Sequence, residues 1–435
     1  MNGRLRIVRG RIIDPSRALD TVGDVIVERG VVTGITRSSA PMDGETLVDA
    51  EGCIVAPGFI DLHTHLREPG FEHQETLSTG GRAAAAGGFT TICATPDTDP
   101  TVDTGSDVES LISAARKTSP IRVLPLGTVS RRQRGEELSE MVAMATAGAV
   151  GFTDAPRHMR NASMLRHALD YSRIVERPII EQPQESELAS GGLMHEGPTA
   201  TLLGLPGIPP EAEEVAIARS IALARLTGGR LHLTMITTAR GVELVRRAKE
   251  DGIPVTADVT PHHLTMTDEW LAGKGNSARM YDPNCKVSPP LRSERDRRAL
   301  VTGLNDGTLD CVVTDHMPRT LVDKLCEFDQ AESGMVGLET ALGVLLQLVE
   351  TSDLSLSRLL AAITTEPARV LGVDGGTLHQ GRRADLVVFR PDGQWTVDPS
   401  RFMSRGRNTP MEGARLKGRV LMTIVGGDVV HREAA

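Results

Sequence analysis

The segment Gly58-Phe59-Ile60-Asp61-Leu62-His63-Thr64-His65-Leu66-Arg67 sets two histidines two residues apart at the end of a short apolar run. In a strand, residues i and i+2 share a face, so His63 and His65 can address one point together. Neutral imidazoles on a rigid strand suit a divalent metal, and zinc in particular. Two carboxylates close comparable runs: Asp154 in Gly151-Phe152-Thr153-Asp154, and Asp315 in Thr314-Asp315-His316. If those run ends meet, His63, His65, Asp154 and Asp315 make one nitrogen/oxygen metal site. A bound ion of this kind activates water and polarises carbonyls, which is hydrolytic chemistry. A lone HxH pair is weak, because paired strand histidines also serve as hydrogen-bonded core. Its meaning depends on the elements that hold it.

Those elements alternate. Apolar, β-rich runs occur at 54–62, 89–95, 121–128, 149–154, 178–182, 230–235, 254–259 and 310–315. Helical patterns lie between them, as in Gly80 to Ala86, Leu138 to Ala147, Met164 to Val175, Glu211 to Leu226, Val242 to Glu250, Glu294 to Leu304 and Leu338 to Val349. Eight βα units predict a closed (β/α)8 barrel, a TIM-like fold, with an open doubly wound sheet as the rival. A barrel carries its chemistry at the C-terminal strand ends, where these histidines and aspartates stand. Short strand-like runs also fill residues 4–55 and recur in Ala384 to Phe389 and Val420 to Val430. They predict a small β-sandwich domain assembled from both termini, residues 1–55 plus 380–435, around a barrel of residues 56–379.

The net charge of −9 argues against a nucleic-acid-binding surface. No run of 18 apolar residues occurs, so no transmembrane helix is expected and no membrane partner either. Met1-Asn2-Gly3-Arg4-Leu5 lacks the apolar core of a signal peptide. Cys53, Cys93, Cys285, Cys311 and Cys326 are scattered without a CxxC pair, which suits reduced thiols in a cytoplasmic protein.

The stretch PGFIDLHTHLREPG (57–70) resembles the opening metal motif of type I dihydroorotases, barrel hydrolases of the amidohydrolase superfamily that open and close the dihydroorotate ring in pyrimidine biosynthesis. The resemblance continues in GGFTTICATPDTDP (87–100), VTPHHL (259–264), VSPPLR (287–292), VVTDHMP (312–318), GMVGLETALG (334–343) and RGRNTPMEGARLKGRV (405–420). It implies that Asp315 is the base that moves the water proton and that Arg67 binds the substrate carboxylate. Asp154 stands where hydantoinase-like relatives carry a carboxylated lysine, so those are a poorer match.

Against that pattern several positions differ. Gln182 and Met235 stand where the resemblance implies histidine ligands of a second metal, and neither replaces an imidazole well. Asp97 replaces an asparagine, Ser288 an asparagine and Arg319 a histidine among the substrate-facing positions. Asp97 and Arg319 are expected to pair with each other, with Arg67 available as a third partner. The resulting expectation is a cofactor complement of one zinc ion at most, or none. Three readings follow. The leading one is a chain with little or no activity that assembles with aspartate carbamoyltransferase, the partner the resemblance implies, and with itself as a homo-oligomer. The second is an active single-zinc dihydroorotase. The third is a cyclic amidohydrolase of changed specificity with Arg319 as its anion anchor.

Overall fold

A computed structural model describes residues 4–37, 44–276 and 278–433. The strand Phe59–Thr64 pairs in parallel with Phe89–Ala94, and that strand with Arg122–Pro125. A single residue, Phe152, makes the fourth stave through parallel bridges to Gly127 and Ile179. Ile179–Glu181, Leu231–Leu233, Val255–Val259 and Cys311–Val312 continue the parallel ladder. Thr64 then bridges His316 and closes the ring. This is a barrel, not an open sheet.

Helices clothe the ring because their sequences cap and stripe correctly. Ala162–Val175 starts where the Asn161 side chain accepts from the backbone N–H groups of Ser163 and Met164. Its buried Met164, Leu165, Ala168 and Leu169 fall at helical spacing on one face. Gly105–Thr118, Leu356–Ile363 and Thr365–Leu371 are helices that the apolar pattern alone does not mark. The first carries a capping box between Thr104 and Asp107, a sequence signal in its own right.

The two ends of the chain meet in one hydrogen-bonded eight-stranded sheet. Its long strand Arg4–Asp14 has an irregular register between Ile7 and Gly10, with Arg9 at φ 63°. Its first half therefore pairs with Glu45–Asp49 and its second with Ile54–Pro57. Leu386–Arg390 adds to Ile54–Pro57, bringing in the C-terminal strands Arg419–Val425 and Asp428–Arg432. The run at 54–62 is thus two strands, and Gly58 is the joint. A Cβ at Gly58 would lie 2.1 Å from the Thr90 Cγ2, so no side chain fits where the terminal sheet turns into the barrel. The ends 1–3 and 434–435 and the stretch 38–43 of the expected terminal domain lie outside the described residues.

One buried carboxylate joins the first barrel strand to the last. Asp61 Oδ1 accepts the N–H of His63 at 3.2 Å and that of Thr314 at 3.0 Å. Its Oδ2 accepts the Thr64 hydroxyl at 2.9 Å and also the Thr314 hydroxyl. Burial pushes the Asp61 carboxyl up to about 6, while the four donors pull against that shift and favour the charged form. Asp61→Ala leaves four buried donors stranded and is expected to destabilise the metal-free protein by about 3–5 kcal/mol. Urea unfolding of the two proteins measures this. A loss under about 1 kcal/mol would mean that closure does not depend on Asp61.

Candidate metal centre

His63 and His65 rise from the end of the first barrel strand, and Asp315 follows the last one in a left-handed conformation, φ 47°. The turn costs a non-glycine residue about 1–3 kcal/mol and aims the carboxylate at the barrel mouth. Asp315 Oδ1 lies 3.9 Å from His63 Nε2 and 3.5 Å from His65 Nε2. One donor atom from each of the three residues lies within 4.8 Å of the others, and all three residues are buried. Both His63 nitrogens, His65 Nε2 and Asp315 Oδ1 are buried with no hydrogen-bond partner. Buried polar atoms are ordinarily satisfied, so a convergent group of orphans marks the place of something that binds them. Burial pushes the His63 imidazole down to about 4 and leaves it neutral, with a lone pair to donate. These residues fit a divalent ion with nitrogen and oxygen ligands.

Asp154 does not join this group. Its Oδ1 accepts the N–H groups of Val129 at 2.9 Å and Ser130 at 3.0 Å, and its Oδ2 takes the Ser130 hydroxyl. The carboxylate is thereby committed to the loop after the third strand. Gln182 is buried beside Ser288, where its Nε2 donates to the Ser288 carbonyl at 3.1 Å and its Oε1 has no partner. Met235 sits at φ 59° at the end of the sixth strand, with its side chain in an apolar cluster with Leu62, Cys93, Ile180 and Val313. Neither residue supplies an imidazole or a carboxylate to the three-residue group.

Arg67 and Asp97 are partners. Arg67 Nη1 donates to Asp97 Oδ2 at 2.8 Å, and both Asp97 oxygens face His65 Nδ1, at 2.9 and 2.8 Å. Burial acts to raise the Asp97 carboxyl, but His65 and Arg67 outweigh it and hold the group well below the usual carboxylate range. The expected Asp97–Arg319 pair does not form. Arg319 Nε donates to the Ser333 carbonyl at 2.8 Å, and its Nη2 lies 3.6 Å from Glu332. Asp97, after the second strand, meets the cation that follows the first, and Glu332 supplies the counter-charge for Arg319. Burial, with Arg67 as the next cause, depresses the Arg319 pKa, so the two guanidinium groups sense one another. Arg67 Nε and Nη2 remain buried and unpartnered. That side-on edge is a two-pronged donor suited to a carboxylate.

Two further residues lie near the centre: Asp61, which the sequence does not single out, and His262, which lies in the VTPHHL motif. Asp61 precedes His63 by two residues, and strand alternation already places it on the histidine face. His262 is buried with an unpartnered Nε2, and burial pushes it down to about 4 against the pull of Asp315. Its neighbour His263 is structural, bound to the Thr260 hydroxyl at 2.7 Å and the Pro289 carbonyl at 3.1 Å. A second close group, His232, Asp258 and Cys311, is already satisfied internally. Asp258 takes His232 Nε2 at 2.9 Å, the Thr234 hydroxyl and the Met235 N–H. His195 is buried with its Nδ1 3.3 Å from Arg292.

Two family models divide the chain between them: a dihydro-orotase-like family matches residues 52–240, and an amidohydrolase family matches residues 232–431. A dihydroorotase of Anaeromyxobacter sp. (strain K) is 46% identical over 434 residues, covering 100% of this chain and 99% of its own. A dihydroorotase of Pelotomaculum thermopropionicum is 45% identical over 433 residues, with 99% of each covered. Among solved structures, an L-hydantoinase from Arthrobacter aurescens superposes with a TM-score of 0.88 at 26% identity, over 100% of this chain and 97% of that one. Likeness along the whole length, at nearly half the residues, shows that this chain belongs to the dihydroorotase family and has the amidohydrolase fold.

Proposed function

We propose that the chain interconverts dihydroorotate and N-carbamoyl-L-aspartate with one zinc ion, held by His63, His65 and Asp315. One observation carries this reading: the unpartnered donor atoms of those residues stand beside Arg67, whose carboxylate-binding edge is also unpartnered. The bound ion supplies Lewis acidity to the ring carbonyl and to water. Arg67 binds the substrate carboxylate through Nε and Nη2 and so orients the ring. Asp315 accepts the proton of the attacking water as its oxygen bonds to the carbonyl carbon. When the carbon–nitrogen bond breaks, the electron pair stays on nitrogen and Asp315 returns the proton there. Ring closure is the reverse. The unpaired thiols fit a cytoplasmic setting.

A second reading is favoured by Gln182 and Met235, which cannot supply imidazoles for a second ion. On that reading the chain turns over little and serves as a structural partner of aspartate carbamoyltransferase. Activity decides between the two.

Purified protein reconstituted with zinc and freed of excess is expected to hold about one ion per chain by elemental analysis, as one such three-ligand site would. His65→Ala should lose it and Asp154→Asn should keep it; loss from both would return Asp154 to the ligand set. Reconstituted protein is expected to hydrolyse dihydroorotate and to cyclise N-carbamoyl-L-aspartate. Arg67→Lys should raise KM for both compounds about tenfold to hundredfold, because an ammonium cannot replace the two-pronged contact. Zinc-loaded wild type that converts neither compound would overturn the proposal in favour of the second reading.

A further inference from the structure

Asp97 occupies the space between the metal centre and the anion-binding arginine, and its contacts point toward both. We infer that Asp97 is a positioning residue of the metal centre, holding His65 so that Nε2 is the atom presented to the ion. This inference rests on the metal site proposed above.

An ionised carboxylate has no proton to give, so the His65 nitrogen facing it must be the donor. Both Asp97 oxygens lie within 2.9 Å of His65 Nδ1. The proton of the neutral ring is therefore on Nδ1 and the lone pair on Nε2. Nε2 is the unpartnered atom 3.5 Å from Asp315. The Thr95 hydroxyl fixes the carboxylate by donating to Oδ1 at 2.6 Å, while Arg67 Nη1 draws on Oδ2 at 2.8 Å. Three donors converge on two acceptor oxygens.

An asparagine here would offer one acceptor oxygen and one NH2 group. Both positions face His65 Nδ1, so the NH2 stands against Nδ1–H in either orientation, and in one of them against the Arg67 donor as well. The carboxylate avoids this conflict and also makes the imidazole a more basic ligand. Such support matters in a chain with Gln182 and Met235 at the other strand ends, since affinity for a metal must come from few ligands. Arg67 has the opposite effect on the ion. Its cation draws on the same carboxylate, so it competes with His65 for the Asp97 charge.

The test is metal affinity. Metal-free wild type, Asp97→Asn and Arg67→Gln are titrated with zinc against a chromogenic chelator, with circular dichroism and thermal unfolding of each metal-free protein as the folding check. Asp97→Asn is expected to bind one zinc ion about 10- to 100-fold more weakly, the usual effect of removing an outer partner from a ligating histidine. Arg67→Gln is expected to bind zinc as tightly as wild type or more tightly. A merely structural Arg67–Asp97 pair would make both variants lose affinity alike. Asp97→Asn binding within about twofold of wild type overturns the inference, as does a tenfold or greater loss in Arg67→Gln. If Asp97→Asn does not fold, tighter zinc binding by Arg67→Gln than by wild type still supports the inference, and a tenfold or greater loss still overturns it. Wild type that binds no zinc, by contrast, sinks the metal-site reading itself.

Discussion

The candidate metal ligands come from strands at opposite ends of the barrel sequence, and they meet only because the ring closes. His63 and His65 belong to the first strand, and Asp315 follows the last. The distance between them is set by the buried Asp61 carboxylate, which takes donors from His63 and Thr64 on one side and from Thr314 on the other. The His65 N–H adds a backbone bond to the His316 carbonyl at 2.9 Å. In an interior of low dielectric, a carboxylate held by four donors is strong and directional. Small shifts of either strand would break several bonds together. The rigidity of the site is thus the rigidity of one strand seam.

Charge at the mouth is arranged in local pairs. Asp97 answers Arg67, and Glu332 answers Arg319. The loop from Arg319 to Met335 is pinned by buried lysine side chains that donate to main-chain carbonyls: Lys324 to Pro283 and Glu332, and Lys286 to Phe328 and Asp329. A guanidinium that is partly neutralised can still bind a carboxylate, provided that a free edge remains. Arg67 keeps its Nε and Nη2 edge. An acidic residue in the pocket is therefore compatible with an acidic substrate, because it occupies a different face of the arginine.

Much of this is readable from the chain. Alternation of apolar runs and helical stripes predicts the barrel, and the i, i+2 spacing puts His63 and His65 on one face. The boundary at Gly58 is not readable, because 54–62 is apolar for most of its length and both of its strands are buried. Pattern alone does not divide such a run. Phe152 can be placed at a strand end, but Asp154 beyond it turns toward the Val129–Ser130 backbone, a loop geometry with no signature in composition. The partner of Asp97 escapes the sequence for a similar reason. Opposite charges at two substituted positions suggest a pair, whereas in the fold Arg67 lies nearer to Asp97 than Arg319 does.

The substituted positions also bear on whether this pocket has simply lost its chemistry. Random loss leaves buried groups in conflict, since each new polar atom must find a partner or cost stability. Met235 fills an apolar layer, Asp97 is bound by three donors, and Gln182 has its amide oriented by the Ser288 carbonyl. The exceptions around the mouth include the Gln182 Oε1, the His262 Nε2, the Arg67 edge and the candidate ligand atoms of His63, His65 and Asp315, all unpartnered. These unsatisfied atoms are of the types that a metal ion and a polar cyclic amide would bind. Orphans of these types, gathered at one mouth, fit the candidate metal group of His63, His65 and Asp315 better than a decayed pocket.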